Sequence, residues 1–279
     1  MNKIVAICEL MRLDKPVGIY LLMWPALLAL VIGTQGSFQP LQTFIVIVGS
    51  ILVRSAGCVI NDLWDKDLDG NVERTKNRPL PSQKLTSTEG WSVFVVLGGL
   101  SFALLSLTNI NTLIVSIAFG AMIVIYPLTK RFIAGPQLFL GLTFNPVIIV
   151  YAMTEQLNNP TILLLYFAVS ALTIAYDSFY GLCDQQDDVK LGINSTAIWW
   201  GKNTLKVIGI FQALSMCLLG MIGWLDQLNF IWFLGVLGLG LFFIYQHSLA
   251  DKNEYLAAFK NNHWASLFML FNATACYLN

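Results

Sequence analysis

Charged residues are scarce in this chain. Asp, Glu, Lys and Arg make up 11% of its 279 residues, whereas hydrophobic residues make up 56% and the mean hydropathy is +0.67. A soluble domain would carry roughly a quarter charged residues, so the composition excludes an ordinary soluble globular protein. The formal net charge is zero, which by itself indicates no class of partner, and no nucleic-acid partner is expected.

Cysteine and histidine patterns typical of metal sites or disulfide frameworks are also missing. The five cysteines are odd in number and none belongs to a CxxC pair, so we expect them to be small packing residues. The two histidines, His247 and His263, lie far from any second group of metal-ligand residue types. The sequence therefore predicts neither a zinc site nor a disulfide-stabilised fold.

Long apolar runs take the place of these features. A helix needs about 20 mostly apolar residues to cross a bilayer core, and nine runs meet this requirement, so we expect an all-α integral membrane protein with nine transmembrane helices in one bundle. Residues 3–13 predict a short additional helix in the membrane interface. The nine predicted helices cover about 16–34, 41–60, 91–108, 111–128, 134–153, 161–180, 204–224, 229–248 and 263–278.

The basic residues are distributed unevenly over the loops. Fifteen of the sixteen Lys and Arg residues fall on one side of the predicted bundle, and the exception, Arg54, lies inside the second helix. The positive-inside rule then predicts a cytoplasmic N-terminus and, after nine helices, a periplasmic C-terminus. Both long connections, 61–90 and 181–203, would be cytoplasmic. No linker divides the chain, so we expect a single domain over residues 1–279.

Two groups of acidic residues follow the second and sixth helices. In NDLWDKDLDG, residues 61–70, Asn61, Asp65 and Asp69 recur every fourth residue and share one helical face, with Asp62 beside it. In DQQDDVK, residues 184–190, Asp184 and Asp188 have the same spacing and Asp187 lies beside them. We call these groups the first and second acidic clusters.

The two clusters are related by a weak internal repeat. A shift of 123 residues brings Asn61 onto Asp184 and Asp65 onto Asp188, and it brings the intramembrane Arg54 onto Asp177. Four helices separate the two sites, so both clusters should emerge on the same side of the membrane. The sequence therefore predicts two facing acidic clusters at one membrane surface.

Carboxylates grouped beside a low-dielectric phase are costly unless cations neutralise them. Mg²⁺ binds through one or two carboxylates together with substrate phosphates, and the interleaved Lys66, Arg74, Lys76 and Arg78 suit the remaining phosphate charge. Arg54 and Asp177 are functional candidates because they are ionisable and intramembrane. The alternatives are solvated acidic loops and a structural ion pair across the bundle. A membrane site for a lipid diphosphate held through Mg²⁺ is the favoured hypothesis.

Four stretches carry a family resemblance. They are MRLDKPVGIYLLMWP at 11–25, RSAGCVINDLWDKDLDGNVERTKNRPLPSQKLT at 54–86, YPLTKRF at 126–132 and YDSFYGLCDQQDDVKLGINSTAIWWG at 176–201. In these stretches the chain resembles the UbiA-type intramembrane aromatic prenyltransferases, in particular the bacterial branch that acts on 4-hydroxybenzoate. The resemblance implies transfer of a polyprenyl group from polyprenyl diphosphate to the ring, ortho to its hydroxyl, in ubiquinone biosynthesis at the bacterial inner membrane.

The resemblance also implies roles for individual residues. The residues expected to hold Mg²⁺ and diphosphate are Asn61, Asp62, Asp65, Asp69, Asp184, Asp187 and Asp188, of which Asp65, Asp69, Asp184 and Asp188 are the candidate catalytic residues. Arg131 matches a family position considered for the aromatic carboxylate. The other candidate substrate-binding residues are Arg54, Arg78, Lys130, Asp177, Tyr126 and Tyr180, the tyrosines because aromatic faces stabilise an allylic cation.

Two positions depart from the family pattern, and other functions stay open. Gln186 replaces an acidic residue and Asn194 replaces a lysine, so one charge of each sign is lost, and metal affinity or substrate preference could differ. The same chemistry on a naphthoate, homogentisate or haem acceptor is the nearest alternative. A CDP-alcohol phosphotransferase would need a DGxxAR motif, which the chain lacks. In a cation transporter, ion sites lie near the midplane on interrupted helices, whereas these clusters lie at helix ends.

Overall fold

The computed structural model describes residues 3–70 and 75–278, and all regular structure within these ranges is helical. A single 3-10 turn, Gly201–Asn203, separates two of the helices. The twelve α-helices are α1 Lys3–Leu10, α2 Val17–Gly33, α3 Pro40–Asp69, α4 Ser87–Leu105, α5 Ile110–Thr129, α6 Pro136–Thr143, α7 Val147–Met153, α8 Thr161–Leu191, α9 Thr196–Trp200, α10 Thr204–Leu225, α11 Phe230–Ala250 and α12 Tyr255–Tyr277.

The apolar runs correspond to helices, with two differences in extent. Helices α3 and α8 have 30 and 31 residues. Both continue through the acidic residues because neither contains a proline after its first position and because their glycines do not end the helix. Both acidic clusters are therefore helical and occupy the last turns of α3 and α8. We call the end of the bundle at which α3 and α8 terminate the acidic end.

The predicted helix over 134–153 is broken into α6 and α7. Pro146 cannot donate a backbone hydrogen bond, so the helix stops at residue 143 and restarts at residue 147. Side chains satisfy the freed backbone groups: Val147 N donates to Asn145 Oδ1 at 3.2 Å, and the Tyr166 hydroxyl donates to Leu142 O at 2.7 Å. Because buried backbone groups need such partners in a membrane, the break is a stable feature of the fold.

Among the residues that the structure describes, seven segments are long and apolar enough to cross a membrane by length and hydropathy. The predicted number of nine is therefore not confirmed by this criterion. Helix α2 falls short with 17 residues, and α12 carries the polar sequence KNNH at 260–263. The seven are Pro40–Asp69, Ser87–Leu105, Ile110–Thr129, Pro136–Met153, Thr161–Leu191, Thr196–Leu225 and Phe230–Ala250.

Helix α8 is the central helix and contacts α6, α7, α9, α10 and α12. The largest hydrophobic core lies among α2, α3, α5, α7, α8, α10, α11 and α12 and includes the fully buried Trp232 and Tyr151. A second core lies at the acidic end, where Ala6 and Leu10 of α1 pack against Val59 and Leu63 of α3. This packing fixes the N-terminal segment beside the first acidic cluster.

The connection between α3 and α4 is held at both ends of its described part. The Thr75 hydroxyl donates to Asp69 O at 2.8 Å, which ties the loop to the end of α3. At the other end Thr86 and Glu89 form a capping box that starts α4. Arg78 lies between these two anchor points, so its position follows from the loop and not from the helices alone.

Candidate functional site

Both acidic clusters line one cavity at the acidic end, with a volume of about 970 Å³. All but one of the sequence-predicted site residues border this cavity. Those brought together are Asn61, Asp62, Asp65, Asp69, Arg54, Arg78, Tyr126, Lys130, Asp177, Tyr180, Asp184, Asp187 and Asp188. The facing arrangement predicted from the internal repeat is thus present in the fold, whereas the individual roles of these residues stay predictions.

The carboxylates of the first acidic cluster are buried and paired with basic residues. Arg12 Nη2 donates to both carboxylate oxygens of Asp62, at 2.8 and 2.7 Å. Arg78 Nη1 donates to Asp62 at 3.1 Å and to Asp69 at 2.6 Å, and Lys130 Nζ donates to Asp65 Oδ2 at 2.5 Å. Three segments remote in sequence therefore supply the cations that let these carboxylates be buried.

Arg12 is a site residue to which the sequence analysis gave no role. It belongs to the MRLDKPVG stretch, which marked it as part of the resemblance but did not indicate a partner 50 residues away. Burial opposes the charge on Arg12, yet the Asp62 carboxylate outweighs this effect, so the pKa of Arg12 lies above its ordinary value. Arg12 thus stays charged at the rim of the cavity.

The second acidic cluster is more exposed. Asp184, Asp187 and Asp188 are only partly buried in the last turns of α8, and Lys190 Nζ donates to Asp187 Oδ1 at 3.0 Å within the same helix. Gln186, one of the two residues that depart from the family pattern, is exposed and lies outside the cavity lining. Asn194, the other one, lines the cavity. The Gln186 departure therefore does not remove a group from the cavity wall.

The fit of a divalent cation can be judged from the donor groups. In residues 3–70 and 75–278, no three His, Cys, Asp or Glu side chains are grouped closely enough to hold a metal by themselves. However, Asp65 Oδ1 is buried and has no hydrogen-bond partner among the described residues, and Asp65 borders the cavity together with Asp184 and Asp188. Because Mg²⁺ needs only one or two carboxylates when phosphates complete its shell, these residues fit a substrate-assisted Mg²⁺ site.

The deeper part of the cavity contains Arg54, which forms no ion pair within 4 Å with any residue that the structure describes. Arg54 precedes Asn61 by seven residues on α3, which corresponds to about 10 Å along the helix axis. Its Nε atom is buried without a hydrogen-bond partner, and its Cζ lies 5.2 Å from the centroid of the Phe144 ring. Within the described part of the chain, no ion pair within 4 Å joins Arg54 to Asp177, so the structural ion pair considered as an alternative is not formed.

Aromatic rings form one wall of the cavity. Tyr126 and Tyr180 border it as predicted, together with Tyr176 of α8 and Phe259 of α12. The ring centroids of Tyr180 and Phe259 are 5.0 Å apart, and those of Tyr176 and Phe259 are 5.9 Å apart. No motif marked Phe259, because α12 lies outside all four stretches that carried the resemblance.

Arg131 is the predicted site residue that the cavity does not include. Its guanidinium donates to the backbone oxygen of Trp64 at 2.9 Å, and its side chain is half exposed. Lys66 and Lys76 also lie outside the cavity lining, and Arg74 lies outside the described residues. Of the three basic residues of the first loop that the structure describes and that were expected near diphosphate, Arg78 is therefore the one that borders the cavity.

The UbiA prenyltransferase family model matches residues 22–272 of the chain. The chain belongs to this family. A UbiA-family member with several apolar helices of this length is a multi-pass membrane protein. The match spans both acidic clusters, the broken helix and most of α12, whereas the cavity-lining residues of the N-terminal segment, among them Arg12 and Gly18, precede it.

Relatives of known name and structure agree with the family assignment. The chain is 44% identical over 259 residues to a 4-hydroxybenzoate octaprenyltransferase of Psychromonas ingrahamii, covering 91% of this chain and 89% of that protein. The apo structure of a UbiA homolog from Aeropyrum pernix has a TM-score of 0.79 at 22% identity, covering 90% of this chain and 96% of that one. A UbiA homolog from Archaeoglobus fulgidus bound to GPP and Mg²⁺ has a TM-score of 0.75 at 17% identity, covering 98% and 100%. This chain thus shares the UbiA fold with both of these solved structures.

Proposed function

We propose that this chain transfers a polyprenyl group from polyprenyl diphosphate to the ring carbon of 4-hydroxybenzoate ortho to its hydroxyl, releasing diphosphate, in ubiquinone biosynthesis. The observation that carries the proposal is one cavity lined by two acidic clusters at its rim and, deeper in, by an arginine whose Nε has no hydrogen-bond partner among the described residues. The 44% identity to a 4-hydroxybenzoate octaprenyltransferase over most of both chains supports the choice of acceptor.

We further propose that Mg²⁺ is required, with Asp65, Asp184 and Asp188 as the nearest carboxylates to it. The bound GPP and Mg²⁺ of the Archaeoglobus homolog support this part of the proposal. When bound, Mg²⁺ would neutralise the diphosphate and stabilise the negative charge that develops as it leaves. Arg78 and Lys130 border the same space and would donate charge-assisted hydrogen bonds to diphosphate oxygens.

The reaction is an electrophilic substitution on the aromatic ring. The carbon–oxygen bond of the prenyl diphosphate breaks and its electron pair leaves with diphosphate. The cavity walls, which include Tyr126 and Tyr180, exclude water from the allylic cation and present aromatic faces to it. The ring carbon ortho to the hydroxyl then forms the new carbon–carbon bond, and the ring loses its proton to a base.

Arg54 is the residue that we propose for the acceptor carboxylate. A buried guanidinium with an unsatisfied donor is costly, and the carboxylate of 4-hydroxybenzoate would satisfy it. Its depth, about 10 Å below Asn61 along α3, separates the acceptor carboxylate from the two acidic clusters, which would repel it. Arg131, the position suggested by the resemblance, has a backbone partner outside the cavity.

The topology forms part of the same proposal. We propose that all nine predicted helices cross the bacterial inner membrane as one domain over residues 1–279, with α6 and α7 together forming one span. The N-terminus and both acidic clusters would be cytoplasmic and the C-terminus periplasmic. The basic residues on the acidic side of the bundle support this orientation.

The decisive experiment measures diphosphate release by the purified protein with polyprenyl diphosphate, Mg²⁺ and 4-hydroxybenzoate, over several chain lengths and with naphthoate and homogentisate as competing acceptors. We expect release that depends on Mg²⁺ and on 4-hydroxybenzoate. Asp65→Asn and Asp188→Asn should each nearly abolish it, because both remove a carboxylate from the cavity. Full turnover in both variants would refute the metal assignment, and preference for another acceptor would replace the substrate.

A further inference from the structure

Gly18, the second residue of α2, borders the guanidinium of Arg54 at the cavity wall. A Cβ atom at position 18 would lie only 2.7 Å from Arg54 Nη2 and 2.9 Å from Cζ. Both distances are shorter than the normal contact distance between non-bonded heavy atoms. The guanidinium can therefore occupy its place only because residue 18 has no side chain. The glycine of the DKPVG stretch thus has a defined steric role in the cavity.

Phe144 contacts the same guanidinium from the break between α6 and α7. Its ring centroid is 5.2 Å from Arg54 Cζ, a distance at which a cation is attracted to an aromatic face. The break that presents Phe144 is anchored to α8, where Asn145 Nδ2 donates to Ser170 Oγ at 2.9 Å. The backbone that presents the ring is therefore held against α8.

These two contacts share a chemical property: neither supplies a hydrogen-bond acceptor from a side chain. Gly18 leaves space for the guanidinium, and the Phe144 ring packs against it. Arg54 Nε has no hydrogen-bond partner in the described part of the chain. A carboxylate in the place of either residue would instead consume the donors of the guanidinium. These contacts thus fix the orientation of the guanidinium while its N–H donors stay available to a ligand.

We propose that Gly18 and Phe144 are positioning residues that hold the Arg54 guanidinium toward the carboxylate of the aromatic acceptor. This inference rests on the proposed function, since it assumes a carboxylated acceptor. The two residues act through Arg54 and determine affinity for the acceptor but not for the prenyl diphosphate, whose acidic and basic partners lie nearer the end of α3.

Gly18→Ala tests the inference directly. The added methyl group must displace the guanidinium, and because this is the flexible end of a side chain, the backbone of α2 need not move. We expect the KM for 4-hydroxybenzoate to rise about tenfold, as for loss of a hydrogen bond to a charged group. The KM for polyprenyl diphosphate and kcat should each change less than about twofold. The unfolding temperature should not change. Gly120→Ala on α5, where a Cβ meets nothing within 4 Å, is the matched control and should leave both KM values unchanged.

A double-mutant cycle separates positioning from a general packing effect. In an Arg54→Ala background, Gly18→Ala should cause no further rise in the acceptor KM, because the side chain through which Gly18 acts is gone. Phe144→Leu, which keeps an apolar side chain but removes the ring, should raise the acceptor KM severalfold in the wild-type background and not in Arg54→Ala. This second variant also gives a result if Gly18→Ala does not fold.

The kinetics of these variants test the positioning role of Gly18 and Phe144 separately from the proposed function. An unchanged acceptor KM in both Gly18→Ala and Phe144→Leu overturns the positioning role and leaves the proposed function intact. An equal rise in KM with and without Arg54 also overturns it, since the two residues would then act independently of the arginine. A wild-type protein that transfers prenyl groups to no carboxylated acceptor overturns the proposed function and the inference together.

Discussion

Asp65 on α3 and Asp187 on α8 each accept a hydrogen bond from a lysine, but the two pairs have different surroundings. The Asp65 side chain is 1% exposed and its partner Lys130 is 24% exposed. Asp187 is 39% exposed and Lys190, three residues along the same helix, is 72% exposed. The first pair joins two distant segments of the chain, whereas the second pair stays within one turn of helix.

This difference extends to the clusters as a whole. Cations from the N-terminal segment, the α3–α4 loop and the end of α5 all converge on the first acidic cluster, through Arg12, Arg78 and Lys130. The first cluster is therefore part of the tertiary structure as well as of the candidate site. Two clusters with matched sequence spacing can thus differ in how strongly the fold depends on them.

The comparison predicts unequal stability losses in Asp65→Asn and Asp187→Asn. Asp65→Asn leaves the partly buried Lys130 ammonium without its anionic partner and should lower the free energy of unfolding by about 1–3 kcal/mol. Asp187→Asn removes an exposed pair, which typically contributes about 0–1 kcal/mol. Thermal unfolding in detergent, followed by circular dichroism, measures both. Equal losses in the two variants would mean that the clusters do not differ as their burial indicates.

Much of this arrangement could be predicted from local sequence. The apolar runs gave the helices, and the i, i+4 spacing gave the shared face of each cluster because both segments continue as helix. The shift of 123 residues matched the helices themselves, since α3 and α8 have nearly equal length and end at their clusters. The break after residue 143 could also have been read from Pro146, which the length-based prediction of one helix over 134–153 overlooked.

The pairing between clusters and cations could not be predicted in this way. Arg12 and Asp62 are 50 residues apart, and Lys130 and Asp65 are 65 residues apart, so their contact depends on how the helices pack and not on any periodicity. The contact of Gly18 with Arg54 has the same origin. The motifs identified which residues belong to the site, whereas packing decides which of them are already neutralised.

A second prediction compares the two lysines of these pairs. Lys130 borders the cavity and Lys190 does not, so Lys130→Ala should raise the KM for polyprenyl diphosphate about tenfold through loss of a charge-assisted hydrogen bond. Lys190→Ala is the matched control, and its KM should change less than twofold. Steady-state kinetics with varied prenyl diphosphate measures both values. Similar increases in the two variants would indicate that general positive charge near the cavity matters more than the position of Lys130.

The smallest effect is expected for Arg131→Ala, next to Lys130 in YPLTKRF. Neighbouring residues at the end of α5 point in different directions, and Arg131 donates to the Trp64 backbone while its side chain is 48% exposed. Its guanidinium is 3.9 Å from Asp65 Oδ1, too far for a hydrogen bond, so it acts on the first acidic cluster through its charge alone. We expect a change of less than about twofold in the KM for 4-hydroxybenzoate, consistent with the small contribution of exposed charges. A severalfold rise in that KM would return the acceptor carboxylate to Arg131, as the family resemblance implied, and would place part of the binding energy outside the cavity that the two clusters share.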